Sequence, residues 1–214
     1  MLFDLHGLEA GPLSSLHITL ALIAAGLLLP DLLQRRWTMA ISIVAVAVAA
    51  GLGRIVMNTT PSVQPLTALV FILGALVGGR RASSCAIAAT LISNLELGMG
   101  VWSVYQALAW STVGCVGSMV RPYLMVADRL SLWRTAVFAS LLAYPFGWIV
   151  SIPALDHGVI KYFGYLWNGL MFDTYHAIGN ALFIAVMVPF VNSSLRAHHH
   201  APLVVANDEI ATVQ

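Results

Sequence analysis

The chain has 214 residues, of which 59% are hydrophobic and only 9% are charged, and its formal net charge is +1 at pH 7. A soluble domain of this size needs far more charge to cover its surface, so the composition excludes an ordinary soluble globular protein. It predicts an integral membrane protein, and the near-neutral charge gives no sign of a nucleic-acid partner.

Seven apolar segments are candidate membrane helices, because a helix that crosses the hydrocarbon core needs about 20 predominantly apolar residues. They are 14–33, 37–57, 65–79, 82–95, 102–120, 133–152 and 174–192. The third and fourth are short, which favours tilted helices or irregular backbone that lines a protein cavity instead of lipid. The first is expected to be a retained helix, since the preceding residues carry Asp4 and Glu9 but no basic residue of a signal peptide.

The basic residues indicate an orientation. If the amino terminus is outside, only Arg54 and Lys161 of the ten basic residues fall on the outer half, as the positive-inside rule requires. We therefore expect a multi-pass protein of the cell membrane with a cytoplasmic carboxyl terminus. The aromatic-rich segment 153–172 would lie at the outer interface. Residues 193–214 are expected to form a disordered cytoplasmic tail, and the histidines at 198–200 are read as part of it instead of a metal site.

Small residues and one charge distinguish the second apolar helix. Ala45 with Ala49, and Ala47 with Gly51, are spaced so that another helix could approach closely, either within the protein or from a partner subunit. Arg54 lies about one turn from the outer end of this helix. A charge there costs free energy unless it is paired or faces water. Arg54 is therefore either a functional residue or a side chain that extends to the membrane interface.

Three further segments place polar groups at the same outer level. The loop after Arg54 contains Pro61, Gln64, Pro65 and Thr67, and its prolines would present the polar side chains on a stiff backbone or simply form a turn. The segment 92–102 interrupts apolar sequence with a set of polar and flexible residues, and it ends at an aromatic one: Asn94, Glu96, Gly98, Gly100 and Trp102.

The helix that follows carries aromatic and polar residues at helical spacing. Trp102, Gln106 and Trp110 recur every four residues and share one face, which suits either a flat ligand with polar edges or an aromatic core. The last helix opens with Asp173, His176 and Asn180 on one face. This face is either part of a binding site or a capped helix with a satisfied core histidine.

These motifs resemble those of the S components of energy-coupling factor (ECF) vitamin transporters, which are the substrate-binding membrane subunits, and most closely a cobalamin-type or unassigned-substrate group. A Pro-x-x-Gln/Lys-Pro-x-Thr loop is matched at 61–67. The run Ser-Asn-x-x-x-Gly-x-Gly-x-Trp-x-x-x-Gln-x-x-x-Trp is matched without a gap at 93–110. The motif Asp-x-x-His-Ala-x-Gly-Asn is matched at 173–180.

The resemblance covers about 37–192 and implies a six-helix substrate-binding core there. Residues 1–36 would be an extracellular amino terminus and one additional transmembrane helix. The partners implied are a transmembrane T subunit, two ATPase subunits and a vitamin-like small molecule. The resemblance favours docking of the T subunit on Ala45, Ala49 and Gly51. Val101, Val104, Tyr105 and Glu96 depart from the usual pattern, which leaves the substrate open.

The leading hypothesis is therefore the substrate-capture subunit of an ATP-driven importer for a vitamin or related micronutrient, with a cobalamin-type compound as the first guess and no cofactor. The chain has no phosphate-binding Gly-x-x-x-x-Gly-Lys-Ser/Thr motif, so a partner would hydrolyse ATP. The expected substrate contacts are Gln64, Thr67, Asn94, Glu96, Trp102, Gln106, Trp110, Asp173, His176 and Asn180. The expected gating or structural residues are Arg54, Pro61, Pro65, Gly98 and Gly100.

Two other classes compete with this hypothesis. A stand-alone secondary or proton-coupled transporter would use Arg54, Glu96, Asp173 and His176 as a relay. An intramembrane enzyme would use His176 as a base, but neither Gly-x-Ser-x-Gly nor His-Glu-x-x-His occurs. The chain is therefore not expected to be an enzyme.

Overall fold

The computed structural model describes residues 15–60 and 62–199. They form the helices α1 (Ser15–Leu33), α2 (Trp37–Val56), α3 (Leu66–Val77), α4 (Gly79–Leu97), α5 (Trp102–Met119), α6 (Arg121–Leu124), α7 (Leu132–Leu141), α8 (Ala143–Val150) and α9 (Val159–His199). A two-stranded antiparallel hairpin, β1 (Met125–Val126) and β2 (Arg129–Leu130), separates α6 from α7, and a 3-10 helix, Ile152–His157, precedes α9. The described chain is thus helical apart from this hairpin.

Three helices are long and apolar enough to cross a membrane: α1, α2 and the Val159–Arg196 part of α9. This confirms the expectation of a helical membrane protein. The third predicted segment is short, as expected, because α3 has only 12 residues. That length corresponds to about 18 Å, well below the about 30 Å of a hydrocarbon core.

Helix α3 is an interior helix that begins after Pro65 and ends where Gly78 adopts a positive φ of 94°. Leu66, Val70 and Phe71 are fully buried, and α3 is enclosed by α4, α5 and α9. It approaches α5 so closely that a Cβ atom on Gly74 would lie 2.0 Å from the carbonyl oxygen of Gly114. Small residues permit this approach, as they do in membrane helix packing generally.

Helix α1 is joined to α4 by charge. The carboxylate of Asp31 accepts hydrogen bonds from Arg80, at 2.7 Å, and from Arg81, whose Nε lies 3.0 Å from Oδ1. The Asp31 side chain is only 1% exposed. Further along the same contact, the hydroxyl of Ser84 donates to the carbonyl of Ala24 at 2.8 Å. We call this part of the bundle the Asp31 end.

The carboxyl-terminal half differs from the prediction in two ways. The predicted helix 133–152 is divided into α7 and α8 near Leu142, because Pro145 has no N–H to donate to the carbonyl of residue 141. The segment 153–172, predicted to lie at the outer interface between two apolar helices, forms the 3-10 helix and the beginning of α9, which has 41 residues. Helix α9 also continues to His199, so the first residues of the predicted disordered tail are helical. Residues 200–214 lie outside the described residues.

Candidate functional site

Arg54 is the centre of a buried polar network at the opposite end of the bundle, which we call the Arg54 end. Its Nε donates to Oε1 of Gln64 at 3.1 Å, and its Nη1 donates to the hydroxyl of Ser93 and, at 3.1 Å, to Oδ1 of Asn94. The Arg54 residue is only 5% exposed. Its guanidinium carbon also lies 4.5 Å from the centroid of the Trp110 ring, a cation–π contact.

The network continues from α4 into α5. The amide nitrogen of Asn94 donates to the hydroxyl of Ser103 at 2.9 Å and to Oε1 of Gln106 at 2.8 Å. Helix α4 ends at Leu97, one turn after Asn94, where Gly98 adopts a positive φ of 105° and its N–H bonds to the Asn94 carbonyl. This sharp end lets the chain turn back into α5 and brings two polar helix ends together.

A second branch of the network connects α5, α3 and α9. The indole N–H of Trp110 donates to the hydroxyl of Thr67 at 2.9 Å, and that hydroxyl lies 2.7 Å from Nε2 of His176. Phe146 of α8 contacts both rings: its ring centroid lies 4.8 Å from that of Trp110 and 4.9 Å from that of His176. The two branches meet at Trp110, which is 3% exposed and carries Arg54 over its ring.

The structure thus brings together six of the predicted substrate-contact residues around Arg54: Gln64, Thr67, Asn94, Gln106, Trp110 and His176. Together with Arg54 they come from five segments of the chain: α2, residues 64–67, α4, α5 and α9. Most of their hydrogen bonds run to one another, so in this conformation the network also stabilises the bundle. A ligand would contact its edge, where Gln64 and Gln106 are half-buried.

Trp102 lies beside the network and lines a separate cleft. Its indole N–H donates to the carbonyl of Gly98 at 3.2 Å, and its ring lies over Gly100, where a Cβ atom would come within 2.2 Å of the ring. Gly100 is therefore required by the position of Trp102. The cleft has a volume of about 100 Å³ and is lined by residues of α8, the 3-10 helix and α9, including Ser151, His157 and Tyr165.

Asp173 and Asn180 occupy the predicted face of α9 but have different neighbours. Asp173 is 8% exposed, and its carboxylate rests on Gly147 of α8, at the place where a side chain would otherwise stand. Asn180 donates to the carbonyl of Ala139 at 3.0 Å and so joins α9 to α7. In the described part of the chain its Oδ1 has no hydrogen-bond partner.

Several predicted residues lie apart from the network. Glu96 is exposed on α4 and makes no ion pair with Arg54. Ala45 and Ala49 are exposed on α2, whereas Gly51 is buried against Ile92 of α4. Gly51 therefore does not share a free docking face with the two alanines, because its small size serves contact within the bundle. Pro65 precedes α3, and Pro61 lies outside the described residues.

Sequence reasoning missed three neighbours of the site. Ser103 accepts a hydrogen bond from Asn94. Phe146 contacts the Trp110 ring at a tilt and the His176 ring edge to face, and Gly147 leaves the space that the Asp173 carboxylate occupies. Ser103 stands next to Trp102 within the matched run but falls on none of its fixed positions. Phe146 and Gly147 lie in an apolar segment with no polar marker, so only the packing of α8 on α9 identifies them.

Comparison with known proteins adds no family. No protein-family model, no curated protein and no solved structure matches this chain. The fold and the site together define the class: a helical membrane protein with a buried cationic network at one end of its bundle. Within the described residues, no group of three or more His, Cys, Asp or Glu side chains could hold a metal ion.

Proposed function

We propose that this protein is the substrate-capture subunit of an ATP-driven importer of the ECF type. It takes up a vitamin or a related micronutrient, and a cobalamin-type compound is the first candidate. The observation that carries the proposal is the Arg54-centred network, in which polar residues of five segments meet at one end of a membrane bundle. A buried charge in a membrane protein marks a functional site by default, because burial without function is expensive.

In this proposal the Arg54 end faces the outside and the substrate binds at the edge of the network. Ligand pockets are usually about 300–1,000 Å³, and the cleft beside Trp102 has only about 100 Å³. Binding therefore requires the segments at the Arg54 end to separate. The turn between α4 and α5, with Gly98 at positive φ, is the natural hinge for that movement.

Partner subunits supply the energy in this mechanism. The exposed face of α2 around Ala45 and Ala49 is the proposed contact with a transmembrane T subunit, because small residues allow close helix approach in lipid. ATP hydrolysis by two ATPase subunits would then drive reorientation and release of the substrate into the cytoplasm.

Uptake with and without partners tests the proposal. The protein is purified, and small molecules that remain bound are identified by mass spectrometry. Cells that express the chain alone, or with ECF T and ATPase subunits, are then compared for uptake of that compound. The proposal requires retention of a ligand and uptake only with the partners. Uptake by the chain alone would contradict ATP coupling.

A secondary or proton-coupled transporter is the second candidate. Asp173 favours it, since this buried carboxylate forms no ion pair with a described residue, and such groups carry protons in transporters. Glu96 does not contribute, because it is exposed. Loss of uptake when the proton gradient is dissipated, with ATP maintained, would favour this candidate over the first.

A further inference from the structure

The chemistry of Arg54 dictates the direction of each hydrogen bond in its branch of the network. A guanidinium has five N–H donors and no acceptor, so Gln64 and Asn94 must both turn their amide oxygens toward Arg54. Asn94 is then left with its amide nitrogen for α5. Gln106 must therefore turn its oxygen toward Asn94, as it does at 2.8 Å. One cation thus fixes the orientation of three amides.

The groups left over are donors only. Among the described residues, Nη2 of Arg54 and the amide nitrogens of Gln64 and Gln106 donate no hydrogen bond. Each of these nitrogens carries two N–H groups. Arg54 also has no ion pair with a described carboxylate, although only 5% of the residue is exposed. The site therefore offers positive charge and unused donors, and among the described residues no carboxylate pairs with that charge.

We propose that the Arg54 end binds the anionic group of the substrate, a carboxylate or a phosphate, through Nη2 of Arg54 and the amide nitrogens of Gln64 and Gln106. This inference rests on the proposed function and narrows its substrate to an organic acid or a phosphate ester. Guanidinium groups bind both anions strongly, since hydrogen bonds between an ionised donor and an ionised acceptor are stronger than those between neutral groups. A bound anion would also neutralise the buried charge.

Trp110 restricts how the anion approaches. Its ring covers one face of the guanidinium, with the centroid 4.5 Å from the central carbon. Nε and Nη1 are occupied by Gln64, Ser93 and Asn94. The anion must therefore come in the guanidinium plane at Nη2. The two N–H groups of Nη2 diverge, so a paired guanidinium fork cannot form there. One oxygen of the anion therefore accepts from Nη2, and its other oxygens accept from the amide nitrogens of Gln64 and Gln106.

Thermal unfolding with simple anions tests this site. The full chain in detergent is heated in sodium acetate or sodium phosphate and, as reference, in sodium chloride at the same ionic strength. Ligands that bind only the folded state raise Tm, and we expect a rise of about 2–4 °C with at least one of the two oxyanions. Equal Tm values in all three salts would overturn the proposal.

Two variants separate binding from folding. Gln64→Glu keeps an acceptor for Arg54 and neutralises its charge, so Tm in chloride should not fall while the response to oxyanions is lost. Gln106→Glu keeps the bond from Asn94 and replaces only the unused donors by a negative oxygen, with the same expected loss of response. Asn168→Asp adds the same charge at an exposed position of α9 and should leave the response intact. A response that survives both glutamate substitutions contradicts the assignment.

Lipid headgroups carry the same anionic chemistry, and one further arm distinguishes them. The protein is placed in nanodiscs of phosphatidylcholine with or without phosphatidylglycerol. Stabilisation by phosphatidylglycerol but not by free acetate or phosphate would overturn the substrate assignment and identify a lipid site. Partner-dependent uptake of a neutral compound would overturn only the anion inference. An oxyanion response without partner-dependent uptake would instead overturn the proposed function and retain the site.

Discussion

At the scale of single residues, Trp110 makes two contacts, one through its N–H group and one through its ring, and a single substitution can remove the first and keep an aromatic ring. Its indole N–H bonds Thr67 and its ring supports Arg54. Trp110→Phe keeps an aromatic ring but removes the N–H donor, so the hydroxyl of Thr67 loses one of its two hydrogen-bond partners. We expect the free energy of unfolding to fall by about 1–3 kcal/mol. Chemical unfolding in detergent measures it, and an unchanged value would show that this bond does not stabilise the fold.

Asp173 and Gly147 make a second residue-scale prediction. A Cβ atom on Gly147 would lie 2.2 Å from Oδ1 of Asp173, so Gly147→Ala forces the carboxylate or α8 to move. Overpacking of this kind typically destabilises by about 1–3 kcal/mol. Asp173→Ala should relieve the clash, so the double variant should be more stable than the sum of the single effects predicts.

The control for this cycle is Gly164→Ala in the same helix as Asp173. A Cβ atom there meets nothing within 4 Å. Alanine is a better helix former than glycine by about 0.5–1 kcal/mol, so this variant should be slightly stabilised. Additive behaviour of the Gly147 and Asp173 substitutions would contradict the observed contact.

At the scale of helices, the ion pairs of Asp31 with Arg80 and Arg81 hold α1 against α4. Asp31 is 1% exposed, whereas the side chains of Arg80 and Arg81 are 36% and 16% exposed. Asp31→Ala leaves two arginines without their shared partner. We expect a loss of about 1–3 kcal/mol, between the values typical of exposed and of buried ion pairs. Thermal unfolding and hydrogen exchange of the α1 amides measure the effect.

Asp156→Ala is the matched control, because Asp156 is exposed on the 3-10 helix. It should leave both measurements unchanged. Similar losses for the two substitutions would mean that α1 is held by apolar contact alone.

The sequence predicts the helices better than it predicts their ends. The apolar segments 14–33 and 37–57 agree with α1 and α2 to within about one residue, because the run of apolar residues stops at polar ones. The start of α9 at Val159 was not predicted, because the aromatic residues of 153–172 indicated an interfacial segment and no helix was predicted before 174. Asp31 was missed as well, because its partners Arg80 and Arg81 are some fifty residues away and a pairing at that distance depends on the packing of α1 on α4.

For the candidate site too, the sequence predicts some features and packing decides the others. Arg54 was predicted because charges are rare inside the apolar helices of this chain. Helix spacing predicted His176, and a polar break between apolar segments predicted Asn94. Which of them touch depends on helix rotation. Trp110, predicted on a ligand-facing stripe, is instead 3% exposed in the core, and Glu96 points to the surface. Composition therefore selects the residues, while packing decides their contacts.

At the scale of the whole molecule, distances along α9 can be compared with the thickness of a membrane. The amide of Asn192 exchanges two hydrogen bonds of 2.9 Å with the backbone of Leu130 at the hairpin. Asp173 lies about 29 Å away along α9, close to the thickness of a hydrocarbon core. If the hydrocarbon core lies between these two levels, the first turns of α9 project beyond it, and they carry exposed Ile160, Phe163 and Trp167. Aromatic residues at this level are typical of a membrane interface.

The proposed orientation makes the last prediction. Cys85 and Cys115 are first replaced by alanine, and a single cysteine is introduced at Asn168, on the projecting part of α9, or at Val126, on the hairpin; both positions are exposed. If the Arg54 end faces outside, a membrane-impermeant maleimide should label Asn168→Cys in intact cells and Val126→Cys only after the cells are opened. The reverse pattern would place the cationic network on the cytoplasmic side, where it could not capture a substrate from outside.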